Sequence, residues 1–229
     1  MATRQFCVSR YGQLPSWGSV LAVVAHPDDE SFALGAILST FADHSATLAV
    51  LCLTHGEAST LPGVGGDLSD IRAGEPAVAA EVLGVSIVEL LGYPDGRLAD
   101  TPVDELAAPV VELARRLGVA GLLVFDSAGV TGHRDHRQAT TAALAAAAQL
   151  GLPVLGWTLP AAVAATLNAE YTTSFVGHRV ADIDRVVQVS RRRQCDAVHR
   201  HRSQALPASV LWRRLELMGP YEYLRWLHT

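Results

Sequence analysis

Residues 19–30 read Ser-Val-Leu-Ala-Val-Val-Ala-His-Pro-Asp-Asp-Glu. The first seven are a short apolar run rich in valine, the pattern of a strand buried on both faces. His26 follows at once, so it stands at the C-terminal end of that strand, the edge where open α/β sheets bind ligands. Pro27 fixes φ and suits the first position of a helix. Asp28 and Asp29 then fall at a helix start, beside unpaired backbone N–H groups. His26 and Asp29 are three apart, and one tight turn aims both at a single ion while Asp28 points elsewhere. The alternative for the acidic pair is plain helix capping.

A second segment repeats the arrangement. Gly121–Phe125 is strand-like, a loop follows, and then comes Gly132-His133-Arg134-Asp135-His136 ahead of the Ala- and Leu-rich stretch 139–150. Such a stretch is a strong helix former, so His133 and His136 lie at a loop-to-helix junction. Solvated histidines and an N-capping Asp135 are the plain alternatives. They do not explain a histidine beyond an apolar strand in both segments. Together the segments offer two imidazoles and a carboxylate for a metal, with a carboxylate and an imidazole left over for proton transfer.

Working outward, strand-like runs fall at 19–25, 46–54, 85–91, 121–125, 153–157, 174–177 and 186–189. Helical stretches fall at 31–43, 70–83, 103–117, 138–150 and 190–204, with Asp70 a cap and Gly84 and Gly118 as stops. The alternation predicts an α/β, Rossmann-like, mostly parallel sheet with helices on both faces. At 229 residues one domain is expected over 1–229, with a core of about 18–204 and a helical tail over 205–229. Residues 61–67 hold four breakers in seven positions, and they read equally as a lid or an ordinary loop. The Arg-dense stretch 191–202 reads as a solvated helix face, with anion binding as the lesser alternative.

Composition bounds the function. Hydrophobic residues make up 49% and charged residues 18%, which suits a compact globule, and a net charge of −5 gives no pull toward nucleic acid. Every basic side chain other than histidine is arginine, so lysine Schiff-base chemistry and a P-loop lysine are excluded. Cys7, Cys52 and Cys195 are sparse and lack a CxxC pattern, which fits reduced thiols and a cytoplasmic location, with Cys52 in the core. No signal peptide and no membrane span are read from the sequence. The first strand lacks a following GxGxxG, against a nucleotide-binding Rossmann protein.

Residues 25–30, Ala-His-Pro-Asp-Asp-Glu, resemble the hallmark box of the PIG-L or LmbE-like deacetylase family. His133-Arg134-Asp135-His136 is similar to its second box, usually His-Pro-Asp-His, with Arg134 in place of proline. Supporting matches are Thr54-His55-Gly56-Glu57, Arg72-Ala73-Gly74-Glu75, Leu91–Gly96, Trp157–Pro160 and His201–Gln204. The resemblance implies zinc on His26, Asp29 and His136, with iron(II) or another divalent ion as the alternative occupant. It implies Asp28 as general base and His133 as oxyanion stabiliser or proton donor to the leaving amine. It further implies Arg72 and Asp95 on sugar hydroxyls, while Asp135 orients a histidine or simply caps. The implied activity is removal of an N-acetyl group from an N-acetylglucosamine-type small molecule. Cleavage of another N-acyl or thiol-sugar conjugate, and a non-catalytic metal or sugar binder, are the competing readings. A homo-oligomer is left open, since Trp212, Leu215, Leu217 and Met218 suit core or interface.

Overall fold

The computed structural model describes residues 12–58, 68–201, 204–206 and 209–229, leaving aside the side chains of 68–74 and 76. Among the described residues the strands are β1 (Ser19–Val24), β2 (Thr47–Thr54), β3 (Ile87–Tyr93), β4 (Gly121–Phe125), β5 (Val154–Thr158), β6 (Arg185–Gln188) and β7 (Tyr221–His228). The helices are α1 (Asp29–Phe32), α2 (Gly35–Asp43), α3 (Leu68–Leu83), α4 (Val103–Leu117), α5 (Arg134–Leu150), α6 (Ala161–Tyr171), α7 (Arg192–Val198) and α8 (Val210–Met218). They form a single α/β domain around one sheet of order β3-β2-β1-β4-β5-β7-β6. The first five strands are parallel, and β7 runs antiparallel between β5 and β6.

The apolar run that opens the chain's reading builds the centre of this sheet. Val20, Ala22 and Val24 face α2, packing with Ile37, Leu38 and Phe41 in one core. Leu21, Val23 and Ala25 face the other way, into a core with Leu106 and Val110 of α4 and Ala142, Ala143 and Ala146 of α5. Strand alternation therefore buries both faces of β1. From β1 the chain steps outward to β2 and β3, then returns to place β4 on the opposite side of β1. The C-terminal ends of β1 and β4 thus flank the point where the strand order reverses, the crevice in which such sheets hold ligands.

Several boundaries differ from the sequence reading. The helix expected at 31–43 is split into α1 and α2, because the carbonyls of Ser31 and Phe32 leave the helical ladder. They accept instead from Gln194 Nε2 at 3.1 Å each, and Phe32 O also accepts from Arg214. The helix expected at 190–204 is only α7, and the strand expected at 174–177 is a loop. The tail over 205–229, expected to be helical, supplies α8 and then β7; the alternating burial of Tyr221–Leu224 is that of a strand. Asp70 falls inside α3 rather than ahead of it. Gly118 stops α4 as expected, in the left-handed conformation. Cys52 is buried and free, as expected, whereas Cys7 and the 61–67 loop lie outside the described residues.

The Arg-dense stretch is only partly a solvated face: Arg192, His199 and Arg200 are exposed, whereas other members are tied down. Arg191 bonds Gly219 O, Tyr221 O, Gln194 and the buried Glu222, while His201 is fully buried. Glu222 also accepts from Trp157 Nε1 at 2.7 Å, so one carboxylate joins β5, β7 and the start of α7. Glu222→Gln keeps the shape but removes the charge opposite Arg191. We expect a loss of about 1.5–3 kcal/mol in urea unfolding, the range for a hydrogen bond to a charged group.

Candidate active site

The site is built from the two loops at the β1/β4 crevice. Thr54, at the end of β2, donates its hydroxyl to Ala25 O at 2.9 Å and pins the backbone just before His26. The chain then turns, and Asp29 Oδ2 accepts from the His26 backbone N–H at 2.9 Å. That bond fixes the Asp29 carboxylate beside the His26 ring. Asp28 occupies the N-cap position of α1 but makes no side-chain capping bond, so capping does not account for it.

The second loop sets two ring orientations. His136 Nδ1 lies 3.2 Å from Gly129 O and 2.7 Å from Thr131 Oγ1. A carbonyl only accepts, so Nδ1 carries the ring proton and Nε2 keeps a lone pair. His133 is the N-cap of α5, with Nδ1 accepting from the Asp135 N–H at 3.2 Å. Its neutral ring therefore carries the proton on Nε2. Burial, assisted by the charge of His26, lowers the His133 pKa, which favours that neutral donor.

Three donor groups converge. His26 Nδ1 is 3.1 Å from His136 Nε2, and Asp29 places Oδ1 3.2 Å from His136 Nε2 and Oδ2 3.6 Å from His26 Nδ1. Bonds of about 2.0–2.1 Å to a tetrahedral zinc imply ligand separations of about 3.3 Å. The residues present therefore fit a divalent ion. The His133 ring stands edge-on to His26, its centroid 4.7 Å away, and together with His26 and His136 it makes a further grouping that could hold an ion.

The electrostatics point the same way. His26 Nε2 is buried and lies 3.1 Å from Asp95 Oδ1 and 3.6 Å from Asp135 Oδ2, without a well-angled hydrogen bond to either. Burial alone would lower the His26 pKa. The carboxylates of Asp135, Asp29 and Asp95 overcome it, and His26 is pushed up to about 12. Asp29 is held well below the usual carboxylate range by His136 and His26, against its own burial. Burial, reinforced by the neighbouring Asp29 charge, pushes Asp28 up to about 7. So much negative charge around one point calls for a cation there.

Five residues of the two boxes, His26, Asp28, Asp29, His133 and His136, line one cavity of about 660 Å³. Asp95 lines it too, but its carboxylate is turned to His26 and to the Ala58 N–H, at 2.9 Å. Asp135 is fully buried and does not cap α5. It accepts from Gly96 N at 2.8 Å and Leu98 N at 3.2 Å, tying the loop after β3 to α5. The Arg72 side chain lies outside the described residues.

Sequence reasoning gave Glu30 and His201 no role. Glu30 Oε1 accepts from Ser31 Oγ at 2.7 Å and lies 2.8 Å from His201 Nε2, all three groups being buried behind Asp28. Burial would lower the His201 pKa, but the Glu30 charge reverses this and raises it. The adjacent acidic residues and the His-Arg-Ser-Gln match were the available signals; the 171-residue separation hid the pairing.

Residues 21–147 match the family model PIG-L, GlcNAc-PI de-N-acetylase. The chain belongs to the PIG-L family. A 1D-myo-inositol 2-acetamido-2-deoxy-alpha-D-glucopyranoside deacetylase of Kineococcus radiotolerans is 32% identical over 179 residues, 63% of this chain and 50% of that protein. The protein of the same name from Streptomyces griseus is 34% identical over 170 residues, 63% of this chain and 53% of that one. The chain thus spans about half the length of these curated relatives. N,N'-diacetylchitobiose deacetylase from Pyrococcus horikoshii shares the PIG-L fold, with a TM-score of 0.69 at 20% identity, covering 92% of this chain and 84% of that one. Among the described residues, no helix of this PIG-L chain is long and apolar enough to cross a membrane.

Proposed function

We propose that this chain is a metal-dependent N-deacetylase that removes the acetyl group from an N-acetylglucosamine-type sugar or its conjugate. The observation that carries the reading is the convergence of His26, Asp29 and His136 to separations of 3.1–3.6 Å, with Asp28 and His133 in the same cavity. The amino-sugar substrate is supported by the names of the PIG-L relatives.

His26, Asp29 and His136 hold the ion, most simply zinc, given two imidazoles and one carboxylate. When bound, it supplies a Lewis acid that polarises the amide carbonyl and lowers the pKa of water. Asp28, lacking a capping bond, accepts the proton of the attacking water. His133, with its proton on Nε2, donates a hydrogen bond to the oxyanion or a proton to the departing amine. Asp135 and Asp95 stand beside His26 Nε2, at 3.6 and 3.1 Å, and Asp95 with Arg72 is assigned to the sugar hydroxyls.

The test is acetate release from N-acetylglucosamine conjugates by protein of known metal content. Loss of release on chelation and its recovery on adding back zinc or iron(II) supports the proposal; release unaffected by chelation refutes it. A milder expectation concerns Thr131. Thr131→Val removes the hydroxyl that helps orient His136, so metal affinity should fall about 10–100-fold, the usual cost of losing a group that orients a ligand. Competition with a fluorescent chelator measures it.

A further inference from the structure

We propose that Thr173 and Ser174 form a subsite for a neutral, hydroxyl-bearing group attached to the reacting sugar, and that Asn168 is its positioning residue. The inference rests on the deacetylase reading and deepens it, since it names what the enzyme recognises beyond the amide.

The local structure begins with α6. Its last turn carries Asn168, and Thr172 then reverses the chain in the left-handed conformation, at φ 53°. Asn168 clasps the loop that follows. Its Oδ1 accepts from Phe175 N at 2.7 Å and from Thr173 Oγ1 at 3.0 Å, and its Nδ2 donates to Phe175 O at 2.8 Å. A backbone N–H only donates and a carbonyl only accepts, so these bonds also fix which way the amide points.

The clasped loop is seated against the catalytic one. Val176 N donates to Val130 O at 2.7 Å. Gly132, immediately before His133, has φ +82°, and a Cβ on it would stand 2.8 Å from Ser174 O. Only glycine permits that approach. Thr173 and Ser174 therefore share the cavity with His26, Asp28 and His133.

The chemistry of this wall is neutral and polar. Thr173 has given its hydroxyl proton to Asn168, so its lone pairs remain to accept from a ligand hydroxyl. Ser174 is exposed, and among the described residues its hydroxyl has no partner. Phe32, half-buried, adds an apolar ring to the same cavity, suited to the C–H face of a sugar or cyclitol. None of the described residues lining the cavity is an arginine.

The experiment compares equilibrium binding of N,N'-diacetylchitobiose and of N-acetylglucosamine by calorimetry, in metal-loaded protein carrying Asp28→Asn so that neither is consumed. The disaccharide should bind more tightly. Asn168→Ala and Ser174→Ala should each lower the ratio of the two affinities about tenfold, the worth of one good hydrogen bond. Asn168→Asp keeps both accepted bonds and should recover part of the ratio, with metal content unchanged throughout. With Asp28 restored, Asn168→Ala should raise KM for the disaccharide more than it lowers kcat. Equal weakening of both sugars would show a merely structural Asn168 and overturn the inference, as would an unchanged ratio or failure of wild-type protein to prefer the disaccharide. If the ratio behaves as expected but no acetate is ever released, the subsite stands and the hydrolytic reading falls.

Discussion

Asp28→Asn should keep the wild-type complement of metal and lower turnover about 10²–10⁴-fold, the usual cost of removing a general base. Asparagine is nearly isosteric but cannot take up the proton of the attacking water. The structure makes this substitution clean. Asp28 sits at the start of α1 without capping it, so no backbone bond is lost with its charge. Its neighbour Asp29 keeps the bond to His26 N that orders the turn. Measurement of kcat at saturating metal decides the matter, and turnover within a few-fold of wild type would remove Asp28 from the mechanism.

The second large effect is loss of the metal itself. His26→Ala and His136→Ala should each bind less than a tenth of the wild-type metal in elemental analysis, with acetate release at background. A ligand that binds only the folded state adds about 2.7 kcal/mol of stability at a hundredfold excess over its Kd. Wild-type protein should therefore melt higher on adding zinc, and the two variants should not. Full metal content in both would show that these imidazoles are not its ligands. Retention in only one would shift the assignment toward His133, whose ring lies beside both, with centroids 4.7 and 5.3 Å away.

The parts of the fold written in local pattern were legible in the sequence. The run 20–25 is apolar throughout because β1 is buried on both faces, and its short length and valine content mark it as a strand rather than a helix. The first box was legible for a related reason, since His26 lies just past the end of β1, whereas the second box is set apart from β4 by the loop that begins at Asp126. What escaped depended on distant partners. Ser31 O and Phe32 O break the α1–α2 ladder only because Gln194 and Arg214 reach them. Asp135 read equally as a partner orienting a histidine and as a helix cap. Its cap position is taken by His133, and the carboxylate bonds backbone N–H groups 37 and 39 residues away. The tail 205–229 read as helical throughout, and only Val210–Met218, α8, is helix. The next residues carry alternating aromatics whose strand partners, β5 and β6, lie elsewhere in the chain.

The place of β7 has a consequence for how the molecule is made. Among the described strands, β6 has one neighbour in the sheet, and that neighbour is β7, which leaves the ribosome after every other described element. Until then the edge of β5 is unpaired and Trp157 lacks the Glu222 that its indole N–H bonds. A nascent chain thus carries the five parallel strands and both metal-binding boxes while presenting an open strand edge, the feature most prone to pair with another molecule. During synthesis closure of that edge must wait for β7, and variants that slow it should be recovered as aggregates even when their metal-binding boxes are intact.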